Sequence, residues 1–378
     1  MSDLDAEGNI HTANGSTVPP LQANAAMFID KTIAIYGPSK TGKTVITKHI
    51  MKLLNDYIEQ ILVVAPTEPS NRSYEGFVDP PFIHYRLFLA NENGKKTPDS
   101  VGALNFLECV WRRQEMMAAI YTRANKLDTL ADLFQRIPKK DRAEGFAYIK
   151  KMNDTRLHFK SKISKKYPND EGRRDEKLKE VDEKFNKTLI QIYKKFIFPH
   201  YESLWLISNL SEDEQYSLKF LNFNPRLLLI FDDCAAQLKP LFNKDIFRKL
   251  FYQNRHSFIT VILCFQDDTD LPPNLRKNAF VNFFTESVVC TTNFERSKLP
   301  KETKLYIMEI IKAIFSKDHR KLAYIREDDT RRHFYHVQFP YPKKFKFGGK
   351  AFRDLCEYVQ SSGSTMDKEN PFYENFKI

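Results

Sequence analysis

The sequence predicts an α/β protein, a mainly parallel central sheet flanked by helices and interrupted by a basic helical insertion. Three observations carry this expectation. A β-branched and aromatic run, Thr32 to Tyr36, leads directly into GPSKTGKT (37–44), the strand, glycine loop and helix of a phosphate-binding element. The continuous apolar runs QILVVA (60–65), RLLLIFDD (226–233) and FITVILCF (258–265) suit strands buried on both faces. Between the first and second of these runs lies a long charged stretch with helical spacing.

Length and composition bound the rest. At 378 residues with 42% hydrophobic content, the chain can build one large or two ordinary cores. It has no apolar run of membrane-spanning length and no charged-then-apolar leader, so the expectation is a protein that stays in the compartment where it is made. Cys109, Cys234, Cys264, Cys290 and Cys356 show no C-x-x-C spacing and read as reduced core residues. The net charge of +11 suggests a polyanionic partner, nucleic acid being the commonest.

In chain order, residues 1–26 are polar and aperiodic and read as a flexible N-terminal arm. Residues 27–101 form the first part of the core. The candidate nucleotide-binding residues are Gly37, Pro38, Ser39, Lys40, Thr41, Gly42, Lys43 and Thr44. The glycines let backbone N–H groups wrap a triphosphate. Lys43 pairs with the β- and γ-phosphates, and Thr44 offers its hydroxyl to Mg2+. A helix over 43–54 directs its N-terminus at the anion. QILVVA then ends in Pro66-Thr67 and Asn71-Arg72-Ser73-Tyr74, polar residues where open α/β sheets bind ligands.

Residues 102–200 read as a basic helical insertion or lid. From Lys150 to Lys195 it holds 15 Lys or Arg against 8 Asp or Glu, a balance of +7. Asn125-Lys126-Leu127-Asp128 matches a guanine-reading pattern, but it precedes the acidic strand and falls inside a helical pattern, so it is set aside.

Residues 201–360 form the second part of the core. RLLLIFDD ends in two acids, and buried strands rarely finish so without a cation or proton to manage. Asp232 is the candidate Mg2+ anchor, acting through the metal's water shell, and Asp233 the general base on the attacking water. Gln266, at the end of the next strand, is placed to bond both that water and a phosphate oxygen. Arg255 and Arg276 are candidate fingers that neutralise transition-state charge, on a neighbouring subunit's nucleotide in the trans case; Arg255 is preferred and His256 is positional. A strand is expected over 279–290, a helix over 300–315, and paired strands at 322–326 and 334–338 around Asp328-Asp329. KKFKFGGK (343–350) interleaves Lys with Phe, which suits nucleic acid or, more often, a sheet edge. Residues 361–378 read as a polar C-terminal tail.

GPSKTGKT, the APT and NRSY pieces after the second strand, LLLIFDDC, NRHSFITVILCFQ and DLPPNLRKN, in this order, resemble the DNA-packaging ATPases of nucleocytoplasmic large DNA viruses. These form the poxvirus-type branch of the HerA–FtsK superfamily of P-loop ATPases. The resemblance covers roughly residues 31–110 and 221–340 and is specific in combination. It implies a RecA-like (ASCE) P-loop ATPase core that binds ATP and Mg2+. It further implies a homo-oligomeric ring that drives double-stranded DNA into a preformed capsid, capsid or portal-like partners, and a place in the viral factory of the host cytoplasm or in the virion. The insertion at 102–200 departs from the family pattern. A P-loop nucleoside or nucleotide kinase remains an alternative, although the acid pair and separate Gln-ended strand speak against it. An ATP-gated DNA-binding scaffold without significant turnover is disfavoured by intact Lys43, Thr44, Asp232 and Asp233.

Overall fold

The structure is a computed structural model that describes residues 4–85, 89–92, 95–326, 332–350, 353–354 and 357. It divides into two units, residues 1–115 with 225–378, and residues 116–224.

The first unit is built on an eight-stranded sheet. In chain order its strands are β1 (Thr32–Tyr36), β2 (Gln60–Val64), β3 (Ile83–His84), β4 (Leu227–Asp232), β5 (Ile259–Phe265), β6 (Val281–Phe284), β7 (Lys321–Arg326) and β8 (Arg332–Val337). In space they run β8-β7-β6-β1-β5-β4-β2-β3. The six strands from β6 to β3 are parallel, and the β7–β8 hairpin joins β6 antiparallel. The sheet is therefore mostly parallel, as the uninterrupted apolar runs require. Side chains alternate across it: Ala34, Tyr36, Leu229, Phe231, Val261 and Leu263 enter one apolar cluster. Ile33, Ile35, Leu228, Ile230, Ile262 and Cys264 enter the other. Both faces are covered, so no polar alternation is visible in the sequence.

Register is what positions the site. Tyr36 pairs with Phe265, Phe231 with Val64, and Asp232 with Cys264. Four strands thus end level at one edge of the sheet. The connections that follow them, beginning at Gly37, Ala65, Asp233 and Gln266, leave from that same edge.

The second unit is helical. It holds the end of α2 (Ser100–Ala124), then α3 (Leu127–Gln135), α4 (Lys139–Lys166), α5 (Glu171–Ile197) and α6 (Glu212–Lys219), with α1 (Lys43–Leu54) belonging to the first unit. Its core gathers Leu130, Leu133, Phe134, Ile137, Phe196 and Ile197 with Leu204, Leu210, Leu218 and Leu221. The unit therefore sits at 116–224 rather than at the expected 102–200. Ala103, Phe106, Leu107, Val110 and Trp111 of α2 are buried in the first unit's core. Residues beyond 200 supply leucines that the helical core needs. A charge shift in the sequence marks where lysines begin, not where burial changes partner.

The N-terminal residues also differ from the flexible arm expected over 1–26. Ile10–His11 and Thr17–Val18 form a small hairpin whose Ile10 and Val18 are buried. Leu21 N–H donates to His336 O, His336 N–H donates to Pro19 O, and the His336 ring donates to Gly8 O at 2.8 Å. The segment satisfies the edge strand β8, a role that needs backbone groups and the buried anchors Ile10, Val18 and Leu21 rather than periodicity.

Three further outcomes concern the C-terminal third. The strand expected over 279–290 stops at Phe284, and Ser287–Glu295 is helix. Val289 and Cys290 are buried on it, so packing overrides their strand propensity. Phe347 of KKFKFGGK is buried, its N–H bonds Phe77 O, and Lys346 pairs with Asp79 at 2.8 Å, which makes this stretch part of the first unit's packing. Asp328-Asp329, Cys356 and the 361–378 tail lie outside the described residues; the other four cysteines are free thiols. Among the described residues no helix is long and apolar enough to cross a membrane.

Candidate functional site

The loop between β1 and α1 is shaped by backbone demands at two glycines. Gly42 caps α1 with φ 102° and offers no side-chain bond to the helix N–H groups, which leaves them facing the loop. A Cβ on Gly37, at φ 152°, would lie 1.8 Å from Thr285 Oγ1 and 3.0 Å from Thr41 Oγ1. No side chain fits there. Lys40 adopts φ 66°, a left-handed residue within the loop.

Lys43 is buried at the first turn of α1, and its ammonium donates to Gly37 O at 2.7 Å and Pro38 O at 3.0 Å. These carbonyls hold the charge beneath the loop. Thr41 Oγ1 bonds Pro38 O at 2.8 Å and meets Thr285 Oγ1 at 2.5 Å, while Thr285 Oγ1 donates to Tyr36 O at 3.1 Å. Lys321 of β7 donates to Thr285 O at 2.9 Å. Thr44, the next residue of α1, is half-buried.

Asp232 ends β4 with a buried carboxylate, and Tyr74 Oη donates to its Oδ2 at 2.9 Å. Burial, and then the Asp233 carboxylate, push the Asp232 carboxyl up to about 6, against the pull of the Tyr74 hydroxyl and the Lys43 ammonium. Asp233 turns with φ 52°. Thr67 Oγ1 donates to its Oδ2 at 3.4 Å, and its buried Oδ1 finds no hydrogen-bond partner among the described residues. A buried carboxylate short of positive charge, beside another with a spare oxygen, suits a hard divalent cation with oxygen ligands. Asp232 at the end of β4 and Thr44 in the first turn of α1 are oxygen donors of the kind such a cation takes.

Glu68 and Tyr74, which the sequence reading passed over as site residues, support the acids. The Glu68 carboxylate accepts from Ser73 N–H at 2.9 Å and Tyr74 N–H at 2.8 Å. It thereby fixes the turn through Arg72 (φ 46°) that aims Tyr74 at Asp232. Burial raises the Glu68 carboxyl and drives the Tyr74 phenol well above its ordinary value, so Tyr74 stays a donor. The polar stretch after QILVVA was the available signal, without saying which residue points inward.

Gln266 is exposed at the same sheet edge, one residue past β5. The two arginines are separated by the fold. Arg276 donates to the fully buried Asp268 and to Asn293 at 3.1 Å, with Arg296 on Asp268 at 3.1 Å, so it is held within its own chain. Arg255 is exposed in the turn Asn254–His256, before β5, with His256 beside it at 3.3 Å. Strand β5, seven residues long, places it about 20 Å from the loop edge.

Beside the loop is a cavity of about 500 Å³ that also touches His319, Lys321, Phe339 and Tyr341, none of them singled out from the sequence. Phe339 stacks on His49 with 4.1 Å between centroids, and Lys48 of α1 donates to Tyr341 Oη at 3.0 Å. An aromatic and cationic wall continuous with an anion-binding helix terminus can take a heteroaromatic group attached to phosphates.

No family model matches the chain. It is 48% identical over 372 residues to the "Uncharacterized protein B354L" of African swine fever virus (isolate Pig/Kenya/KEN-50/1950), covering 97% of this chain and 98% of that one. A shorter similarity, 31% over 83 residues, links 22% of this chain to 31% of the "Uncharacterized protein 075L" of Invertebrate iridescent virus 6. Among solved structures, the genome packaging NTPase B204 of Sulfolobus turreted icosahedral virus 2, in complex with ATP-gammaS, aligns over 82% of this chain and 98% of that chain. The identity over that alignment is 14% and the TM-score 0.33.

Proposed function

The chain belongs to the family of the African swine fever virus B354L proteins, and we propose that it is an ATPase whose hydrolysis drives movement of double-stranded DNA. The observation that carries this reading is the common sheet edge. The phosphate loop, the Asp232-Asp233 pair and Gln266 leave from neighbouring strands β1, β4 and β5 at matched register.

In this reading the triphosphate lies on the 37–44 loop, and Lys43 exchanges its two loop carbonyls for β- and γ-phosphate oxygens. The base occupies the cavity by Phe339 and Tyr341. Thr44 and Asp232 would hold Mg2+, which when bound supplies neutralisation of phosphate charge. Asp233, with its unengaged oxygen, takes the proton of the attacking water, and Gln266 orients that water. Arg276 is committed to Asp268, so the trans finger is assigned to Arg255, which requires a neighbouring copy and hence a homo-oligomeric ring. The family's viral membership and the resemblance of the motifs to packaging ATPases favour genomic DNA as cargo and a capsid or portal-like protein as the docking partner. Assembly in the host cytoplasm and association with the virion follow from the same reading.

The test is ATP hydrolysis with and without duplex DNA, for the wild type and Asp233→Asn. DNA-stimulated turnover that the substitution abolishes is expected. Phosphate appearing on a nucleoside acceptor instead of water would replace the motor with a kinase, and no turnover in either condition would leave an ATP-gated scaffold.

A further inference from the structure

The helical unit carries its charge unevenly. Helix α4 has ten Lys or Arg against three Asp or Glu, whereas its antiparallel neighbour α5 has eight against six. The two pair through one side of α4: Arg156 and Lys160 both reach Asp182 at 2.7 Å, and Arg156 lies 4.7 Å over the Phe185 ring. At 100° per residue, Lys140, Lys150, Lys151, Lys162, Lys165 and Lys166 fall on the opposite half of the helix. All six are exposed, and none forms an ion pair among the described residues. The acids on that half are Glu144 and Asp154; Asp141 instead bonds His200 at 2.9 Å.

Like charges so arrayed repel one another, and Glu144 and Asp154 are two acids against six lysines on that half. A polyanion would relieve the repulsion. From Lys140 to Lys165 the stripe spans about 38 Å at 1.5 Å per residue, close to the roughly 34–36 Å of one turn of duplex DNA. A rigid rod of that length matches the regular phosphates of a duplex better than a flexible single strand. Single strands are held mainly on aromatic platforms, and the one aromatic on that half of α4, Tyr148, is already engaged by Phe196 and Lys195.

We propose that the face of α4 turned away from α5 is a duplex-DNA contact surface that grips the phosphate backbone without reading bases. The choice of DNA as the polyanion rests on the function proposed above; the surface itself rests on the charge array. Lysine contacts to phosphate release counterions, so binding weakens as salt rises, with a slope of about 0.9 per phosphate neutralised.

The experiment uses the full chain carrying K151Q/K162Q/K165Q/K166Q, glutamine being a comparable helix former, and the matching quadruple Lys→Arg variant. Duplex binding is measured across salt concentrations, alongside DNA-independent ATP hydrolysis and far-UV circular dichroism. The glutamine variant is expected to lose affinity about a hundredfold at 0.1 M salt and about 3 to 4 in salt slope, with helicity and basal hydrolysis unchanged, while the arginine variant binds like wild type. Wild-type affinity and slope in the glutamine variant would overturn the proposal. So would a wild type that holds acidic phospholipid vesicles through these lysines but not duplex DNA. A wild type that binds DNA through them without hydrolysing ATP would remove the motor reading and leave the surface standing.

Discussion

Tyr74 donates a 2.9 Å hydrogen bond to Asp232 across 158 residues of chain, and this bond helps keep a charge in a place that disfavours it. The Asp232 carboxyl is raised from 3.8 to about 6 in the folded protein. Between these values the folded state binds a proton that the unfolded chain has released. The contribution of this group to stability therefore falls as pH rises from about 4 to 6 and stays low above that. Without nucleotide or Mg2+, Asp232→Asn should stabilise the fold at pH 7.5 by up to about 3 kcal/mol, the gain fading by pH 4. Urea unfolding at the two pH values checks this, and a less stable variant at pH 7.5 would contradict it.

Lys43 donates to Gly37 O and Pro38 O, bonds that the proposed function exchanges for phosphate oxygens. Lys43→Ala should lower ATP turnover by about a hundredfold or more and remove the rise in melting temperature that ATP with Mg2+ gives the wild type. Retained turnover would mean that the loop does not grip the triphosphate through this residue.

Gly37→Ala brings a methyl to 1.8 Å from Thr285 Oγ1. The substitution should destabilise the protein by about 2 kcal/mol or more. The double variant with Thr285→Ala should recover part of the loss, because Thr41 Oγ1 at 3.0 Å remains in the way. Thermal melts of the single and double variants supply the comparison, and Thr285→Ser, which keeps the hydroxyl, should recover little.

Arg276 and Arg255 should separate stability from turnover. Removing Arg276 leaves the fully buried Asp268 with Arg296 alone, at a cost of about 2 kcal/mol or more. Arg255→Ala, at an exposed turn, should change stability by no more than about 0.5 kcal/mol while suppressing turnover. Mixing Arg255→Ala with Asp233→Asn should restore part of the activity, since each chain supplies what the other lacks; a mixture as inactive as its components would place the finger elsewhere.

Parts of both fold and site were legible because they depend on local chemistry. The apolar runs gave β1, β2, β4 and β5, since strands buried on both faces must be apolar throughout. The glycine loop and terminal acids of the candidate site were legible because the phosphate and cation chemistry proposed for them constrains residue type at fixed spacing. The unit boundary at 116, the hairpin before residue 20 and the helix at 287–295 were not. Each depends on which distant surface buries a few ordinary apolar residues.

By itself, then, the sequence determined the mostly parallel sheet, the glycine loop after its first strand, and the acid pair that ends β4. Tertiary structure decided which residues serve those acids. Strand register brings Tyr74 to Asp232 and Thr285 to the loop, and burial raises the carboxyl. It also distinguished two arginines that look alike in sequence, binding Arg276 to Asp268 and leaving Arg255 exposed. The physical reason is that residue type fixes what a side chain can do, whereas its charge state and reach depend on neighbours brought together only by folding.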